Sequence, residues 1–306
     1  MTTPATSTTT STSQPPALLA STGAITRWSA IHDIGEVVAR GASLGIDGIE
    51  VMIFTPFRER LDDVAADFVR HGEANGIGFP ATHAEKDIGP EVVREDDAAA
   101  VQATLDRFSA NCRFTQAIGG DRTVLHLWGL PESDRAISRA LAMLPELIDR
   151  AAEYDVLLGV ESIPCLVDDP LANLRRVLAH DPRARVTLDT EFLAMHGQVP
   201  HVREATWLWD AHAVVHVHVK DFIDPSHVQP GQRRYLQPGE GEIDFPAWFA
   251  GLAANRYGGA ISLEAPAPTP EGDVDTTRLR ASIGTLRDRI AAAWAAADAT
   301  TGPFVP

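Results

Sequence analysis

Cysteine is scarce in this sequence, and long hydrophobic runs are absent. The 306 residues include two cysteines, Cys112 and Cys165, which are too few for a disulfide framework or a zinc site built from thiolates. We therefore predict that both are reduced and buried. No run of about 18 consecutive apolar residues occurs, which excludes a helix that spans a membrane and predicts no membrane partner.

Basic residues are also few. Lysine and arginine total 26 against 42 aspartates and glutamates, so the formal net charge is −16. A surface of this sign repels a phosphate backbone, and we predict no nucleic-acid partner. No predicted strand is followed by a Gly-x-Gly-x-x-Gly turn, so a doubly wound dinucleotide-binding fold has no support.

The first residues differ in composition from the rest. Ten of residues 1–13 are serine or threonine, with no basic residue and no apolar block. This composition predicts neither a signal peptide nor a transit peptide, but a disordered tail over 1–16. We predict a cytoplasmic protein whose residues 17–306 form a single domain.

Short apolar runs and amphipathic helical patterns alternate along those residues. Eight units of a strand followed by a helix favour a parallel sheet, and their number and total length fit an α/β fold of the (β/α)8, or TIM barrel, type. One such helix is predicted over 202–211 and the last over 276–297. The predicted strands are 22–26, 48–53, 77–83, 123–127, 156–161, 186–189, 214–219 and 260–264.

Four ionisable residues end the last four predicted strands in the same phase. They are Glu161, Asp189, His218 and Glu264. Alternate residues of a barrel strand point inward and the carboxyl ends carry the chemistry, so these side chains are predicted to converge. Three carboxylates in one cavity would repel each other, and a divalent cation removes that cost. The donor set suits one ion of Mn²⁺, Co²⁺ or Mg²⁺, with Zn²⁺ as a further candidate.

The other strands also end in polar residues. Glu50, His83 and His126 lie on strands two, three and four, and Trp128 shares the phase of His126. We predict that Glu50, His83 and Trp128 contact a substrate, although Glu50 would also suit an ion pair with a neighbouring basic residue. His216, one layer below His218, is interpreted as an interior residue that supports the site.

Several of these motifs resemble the xylose isomerase-like barrel superfamily, also called sugar phosphate isomerases/epimerases. The match covers roughly 48–266, and its most specific piece is Pro-Gly-Glu-Gly-Glu-Ile-Asp at 238–244. The other motifs are Val-Thr-Leu-Asp at 186–189, His-Val-His-Val-Lys-Asp at 216–221 and Ile-Ser-Leu-Glu at 261–264. The resemblance implies one metal, held by Glu161, Asp189, His218 and Glu264.

The sequence departs from two branches of this superfamily. Endonuclease IV has a histidine where Phe192 stands and an Asp-x-His where Arg233, Arg234 and Tyr235 stand, which argues against a nuclease. Several ketose 3-epimerases also carry a histidine at the Phe192 position. The pair Lys220 and Asp221, which follows the strand-seven histidine, instead resembles the pattern of keto-inositol dehydratase.

The resemblance implies a metal-dependent isomerase or epimerase that moves a proton on a keto-sugar or related polyol through an enediolate. Glu161 and Glu264 are the predicted bases. A lyase or dehydratase remains open, including cleavage of a 3-keto-glycoside, and His126 and Lys220 are its candidate acids. A sugar-binding barrel without turnover is a third alternative. The alanine-rich end of the last helix suits either a partner subunit in a homo- or hetero-oligomer or the barrel's own outer ring.

Overall fold

The computed structural model describes residues 14–26, 31–227 and 235–300, and they form a TIM barrel. Eight parallel strands pair in sequence order, and β8 pairs with β1 to close the barrel. The strands are β1 (Ala17–Ser21), β2 (Gly48–Met52), β3 (Ala81–His83), β4 (Arg122–Leu125), β5 (Leu157–Glu161), β6 (Arg185–Asp189), β7 (Val214–Val219) and β8 (Ala260–Leu263).

The first strand lies earlier than its sequence pattern predicts. We expect it over 22–26, but the structure places β1 at Ala17–Ser21 and a short helix at Thr22–Ile25. Leu18, Leu19 and Ala20 are all buried, as befits a barrel strand covered on both faces. The Ser21 side chain accepts a hydrogen bond from the Ala24 backbone N–H and so starts the helix.

Helices follow the strands and form the outer layer. The predicted helix over 202–211 is replaced by two short helices, whereas the last predicted helix is present. The helices are α1 (Thr22–Ile25), α2 (Ile34–Ala42), α3 (Leu61–Asn75), α4 (Ile88–Arg94), α5 (Ala98–Ala117), α6 (Ile137–Ala152), α7 (Pro170–His180), α8 (Thr190–Met195), α9 (Val199–Val202), α10 (Thr206–Trp209), α11 (Phe245–Ala254) and α12 (Thr276–Thr300).

The main hydrophobic core lies between the barrel and its helices. A separate small cluster of Leu19, Ala81 and Ala260 fills the interior of the barrel near its amino-terminal end. Both cysteines are buried and free, as predicted. Nearer the carboxyl ends of the strands, the inward positions of the barrel hold polar side chains, which form the candidate site.

The last helix belongs to the barrel's outer ring. It packs against α11, and Leu279, Leu286, Ile290 and Trp294 on it are buried. Among the described helices, none combines the length and apolar character needed to cross a bilayer. The predicted disordered tail lies almost wholly outside the described residues.

Candidate active site

The four predicted metal ligands meet at the carboxyl-terminal end of the barrel. One ligand atom from each of Glu161, Asp189, His218 and Glu264 lies within 4.8 Å of the other three. Glu161 and Asp189 are the last residues of β5 and β6, and Glu264 directly follows β8. Parallel pairing in a closed sheet thus brings together Glu161 and Glu264, which are 103 positions apart in the chain.

His218 is the centre of this group. Its Nδ1 lies 2.6 Å from Glu161 Oε1, 3.5 Å from Glu264 Oε2 and 3.9 Å from Asp189 Oδ2. Burial alone would lower the pKa of His218, but the carboxylates of Glu264, Glu50 and Glu161 raise it well above its usual value. The imidazole is therefore a cation among carboxylates when no metal replaces its proton.

Asp189 is held by its own neighbours. Its backbone N–H donates to the Ser162 hydroxyl at 2.8 Å, and its Oδ1 accepts the Phe192 N–H at 3.0 Å at the start of α8. The remaining oxygen, Oδ2, faces the centre. Burial, reinforced by the nearby Glu161 and Glu264 carboxylates, raises the pKa of Asp189 to about 7 against the opposing attraction of Lys220.

Lys220 reaches into the site. Its ammonium lies 2.7 Å from Asp189 Oδ2 and 2.8 Å from Glu264 Oε2, and the Thr190 hydroxyl contacts its backbone N–H and carbonyl. Burial alone would raise the pKa of Glu264, but His218 and Lys220 lower it to about 2. Lys220, a predicted acid, thus lies beside two of the predicted metal ligands.

Glu161 also contacts two further histidines, His126 and His83. Its Oε2 is 2.6 Å from His126 Nε2 and 3.4 Å from His83 Nε2, so these three residues form a second group of potential metal ligands. The His83 Nδ1–H donates to the Ala84 carbonyl at 2.7 Å, which leaves its Nε2 facing Glu161. Burial lowers the pKa of His126 to about 4, although Glu161 opposes this, so the imidazole is neutral at pH 7.

Glu50 lies behind His218 and is 0% exposed. One oxygen, Oε1, accepts from His218 Nε2 at 3.0 Å, and Oε2 accepts from His216 Nε2 at 3.1 Å. The sequence pattern predicts Glu50 as a substrate contact, whereas the structure gives it histidine partners below the site. The interpretation of His216 as a supporting interior residue agrees with this geometry.

Trp128 is part of the hydrophobic core and does not line the mouth of the barrel. It is 1% exposed. Strand β4 ends at Leu125, so the alternation that relates His126 to Trp128 no longer holds at residue 128. The sequence-based expectation that Trp128 contacts a substrate is therefore corrected.

The Asp221 carboxylate holds the turn at 238–244, a role that the sequence motif did not predict. The Asp221 carboxylate accepts backbone N–H bonds from Phe222, Gly239, Gly241 and Ile243 at 2.7–3.1 Å. A Cβ on Gly241 would lie 2.3 Å from the Phe222 carbonyl oxygen and 2.5 Å from Asp221 Oδ1, so glycine is required there. A carboxylate directly after a strand, facing a glycine-rich turn, was the available signal.

A cavity of about 880 Å³ opens beside these residues. Lys220 and Glu264 line it together with residues that follow β1, β2, β3, β6 and β7. The basic pair Arg233 and Arg234, which departs from the endonuclease IV pattern, lies outside the described residues. The ionisable cluster is thus reachable from a cavity of the size of a small-molecule site.

The donors present fit a divalent metal ion. Three carboxylates and one imidazole converge, and Glu264 Oε1 is buried without a hydrogen bond from the described residues. Such oxygen-rich sets with one nitrogen suit Mn²⁺ and related ions. A cation would also offset the burial and the carboxylate repulsion that together raise the pKa of Asp189.

Comparison with known proteins identifies the family. The sequence matches the family model described as xylose isomerase-like TIM barrel over residues 38–289. The chain therefore belongs to the xylose isomerase-like TIM barrel family. A comparison with curated protein sequences finds no match.

Solved structures of similar fold include several sugar epimerases. An L-ribulose 3-epimerase has a TM-score of 0.71 at 18% identity, covering 95% of this chain and 100% of that chain. The 3-keto-D-glucoside 4-epimerase YcjR from E. coli has 0.67 at 18%, covering 89% and 99%. D-allulose 3-epimerase from Methylomonas sp. in complex with D-allulose has 0.68 at 17%, covering 90% and 98%. At these identities the likeness establishes the fold.

Proposed function

We propose that this protein is a divalent-metal-dependent isomerase or epimerase that acts on a keto-sugar or related polyol. The observation that carries the proposal is the convergence of Glu161, Asp189, His218 and Glu264 within 4.8 Å at the carboxyl end of the barrel. Family membership and the sugar epimerases among the structures of similar fold support it.

Glu161, Asp189, His218 and Glu264 would hold the metal ion, with Mn²⁺ as the first candidate. When bound, such an ion supplies Lewis acidity that makes the proton next to a substrate carbonyl easier to remove. Asp189 offers Oδ2, because its Oδ1 caps the start of α8 by accepting the Phe192 N–H. His218 offers Nδ1, because its Nε2–H donates to Glu50.

The protein's part in the reaction is proton transfer. Glu264 is 8% exposed and lines the cavity, so it is the ligand carboxylate best placed to take a proton from a substrate there. Glu161 lies deeper, between His218 and His126, and would act on the opposite face. Two bases on opposite faces of a planar enediolate would permit inversion.

Lys220 favours a second candidate function. Its ammonium lies at the cavity beside Glu264, where it would donate a proton to a leaving group or hold an oxyanion. A lyase would use the same enediolate and eliminate a group one carbon further on. His126 is the other predicted acid, but burial lowers its pKa to about 4 and leaves it neutral at pH 7, so Lys220 is the better proton donor of the two.

Proton exchange in heavy water distinguishes these functions. The Mn²⁺-loaded protein is incubated with a set of keto-sugars and 3-keto-glycosides, and products are followed by mass spectrometry and NMR. We expect deuterium at the carbon next to the carbonyl, with an isomer or epimer as product. Deuterium with loss of water or aglycone would favour the lyase. Absence of exchange over the whole set would contradict enzymatic proton transfer.

Metal binding itself is tested with His218→Ala. We expect at least about a tenfold loss of Mn²⁺ affinity, since a lost ligand costs no less than a lost supporting contact. His227→Ala, which changes an exposed histidine paired with Glu242, is the matched control. Unchanged metal content in the His218 variant, measured by elemental analysis, would reject the assigned ligands.

A further inference from the structure

The cavity beside the metal ligands has an apolar wall that begins at α8. Phe192 and Met195 are three residues apart on this helix, so their side chains lie on the same face. Both line the cavity, and the Phe192 ring centroid is 4.4 Å from Lys220 Nζ. The apolar wall therefore starts directly at the charged centre.

Other elements extend this apolar surface. Ile31, Met52, Ile223 and Pro266 also line the cavity. Met195 is 51% exposed, one of a small number of large hydrophobic side chains with such exposure in the described residues. Leaving this surface in water is unfavourable, and an apolar ligand group would cover it.

The cavity also exceeds the needs of one sugar ring. Sites for drug-sized ligands span roughly 300–1,000 Å³, and this one, at about 880 Å³, lies near the upper end. The charged residues Lys220 and Glu264 would engage the reacting sugar. The methionine and phenylalanine side chains in the lining would then contact whatever the sugar carries.

We infer that the substrate is a sugar bearing an aromatic substituent, as in an aryl glycoside, and that Phe192 and Met195 bind the aromatic group. This inference rests on the proposed function for its sugar part. Methionine sulfur and a phenylalanine ring both form favourable contacts with aromatic rings, which favours an aryl group over an alkyl one. Phe192 and Met195 would thus set substrate specificity without taking part in proton transfer.

The test compares matched pairs of glycosides by calorimetry on the Mn²⁺-loaded protein. Each pair is the methyl and the 4-nitrophenyl pyranoside of D-glucose, D-galactose or D-xylose, in both anomers. In at least one pair, burial of the ring should make the aryl glycoside bind about tenfold tighter or more. Met195→Ser should reduce that ratio to about threefold or less, while affinity for the methyl partner stays the same. Phe192→Ser should reduce the ratio to the same extent.

Leu130→Ser is the matched control. Leu130 is 77% exposed and does not line the cavity, so the ratio should not change. Equal binding within every pair, the absence of binding in all pairs, or an aryl preference that survives both α8 variants would overturn the inference. Met195 is half exposed, so its variant remains informative if Phe192→Ser fails to fold.

The result separates from that of the proposed function. Deuterium exchange on keto-sugars without aryl preference would leave the proposed reaction intact and reject only the aromatic subsite. Aryl preference that depends on α8, without exchange on any keto-sugar, would support the subsite and contradict the proposed reaction.

Discussion

The two glutamates of the proposed metal site lie in different surroundings. Glu161 has both oxygens against histidines, whereas Glu264 has one oxygen against Lys220 and the other without a hydrogen bond from the described residues. Burial opposes ionisation of both, yet the pKa of Glu161 is lowered by His218 and His126, and that of Glu264 by His218 and Lys220. Both are therefore carboxylates at pH 7, able to bind a cation and accept a proton.

Replacing either glutamate by glutamine separates these two roles. Glutamine keeps an oxygen donor but cannot accept a proton at neutral pH. With metal restored by excess Mn²⁺ or Co²⁺, we expect Glu161→Gln and Glu264→Gln to be folded and loaded but slow. One of them should still exchange the substrate proton with solvent without completing an inversion.

Kinetics and deuterium exchange on the metal-loaded variants provide the measurement. If a lyase reaction operates, only one glutamate is needed as base, and the other variant stays substantially active. Near-normal turnover in both would leave these carboxylates as ligands alone.

Glu50 orients His218 from below. Because Glu50 Oε1 accepts from Nε2, the other nitrogen, Nδ1, is the one presented to the ligand carboxylates. We expect Glu50→Gln to weaken Co²⁺ binding by roughly tenfold to hundredfold, as loss of such a partner does in other metal sites. The measurement is a Co²⁺ titration followed by visible absorption, which reports the metal's surroundings without turnover.

Glu146→Gln is the control for this change. Glu146 pairs with Arg150 on the exposed face of α6, far from the barrel interior. A Glu50 variant with wild-type affinity and an unaltered cobalt spectrum would remove Glu50 from the support of the site.

At the level of elements, loops after neighbouring strands are tied to each other by buried carboxylates. Asp134, in the loop after β4, accepts backbone N–H bonds from the loop after β5, and its burial is almost complete. Its partners are Leu166 at 2.8 Å, Val167 at 3.0 Å, Asp168 at 2.7 Å and the Asn173 amide at 3.1 Å. Asp221 ties the turn at 238–244 to the end of β7 in the same manner.

The Asp134 contact should make stability depend on pH. Burial alone would raise the pKa of Asp134, but these hydrogen bonds lower it below its usual value. A lowered folded-state pKa means that the contribution is fully present above about pH 4, the unfolded value, and is lost as the pH falls through the folded value. We expect Asp134→Asn to reduce the free energy of unfolding by about 1–3 kcal/mol at pH 7.

Urea unfolding at pH 7 and at decreasing pH measures this difference, which should shrink below about pH 4. Asp62→Asn is the control, because Asp62 forms an exposed ion pair with Arg113 and should change stability by less than about 1 kcal/mol. A difference between wild type and Asp134→Asn that does not vary with pH would contradict the assignment.

At the scale of the whole molecule, the closed barrel brings all eight strand ends to one rim. The proposed ligands come from β5, β6, β7 and the residue after β8, and their support comes from β2 and β3. The barrel described here begins at Ala17. Of the residues before Ala17, the structure describes only 14–16, and these belong to no strand of the closed sheet.

The tail is therefore predicted to be dispensable. Residues 1–13 are dominated by serine and threonine and lack the apolar surface that offsets the entropy of ordering. We expect a chain that starts at Ala17 to keep the melting temperature and activity of the full chain. A drop of several degrees in differential scanning calorimetry would indicate that the tail binds the barrel.

Much of the site was predictable because strand alternation is a local property. Alternate side chains of each strand point into the barrel, so position along the strand alone decides which ones do. The inward-pointing set includes Glu161, Asp189, His218 and Glu264. The same reasoning misplaced β1, since apolar residues lie on both sides of Ser21, and it misplaced Trp128, which follows the end of its strand.

Tertiary structure decided which side chains from different segments come into contact. Glu50 and His218 are far apart in the chain, and only closure of the barrel makes the buried carboxylate accept from Nε2. Lys220 beside Asp189 and Glu264, and the apolar wall of Phe192 and Met195, likewise depend on how segments after different strands pack. By itself, the sequence determined the barrel and the phase of its ligands, because both follow from local periodicity. The partners of each ligand and the shape of the cavity required the fold, because they depend on distances between segments that local pattern does not encode.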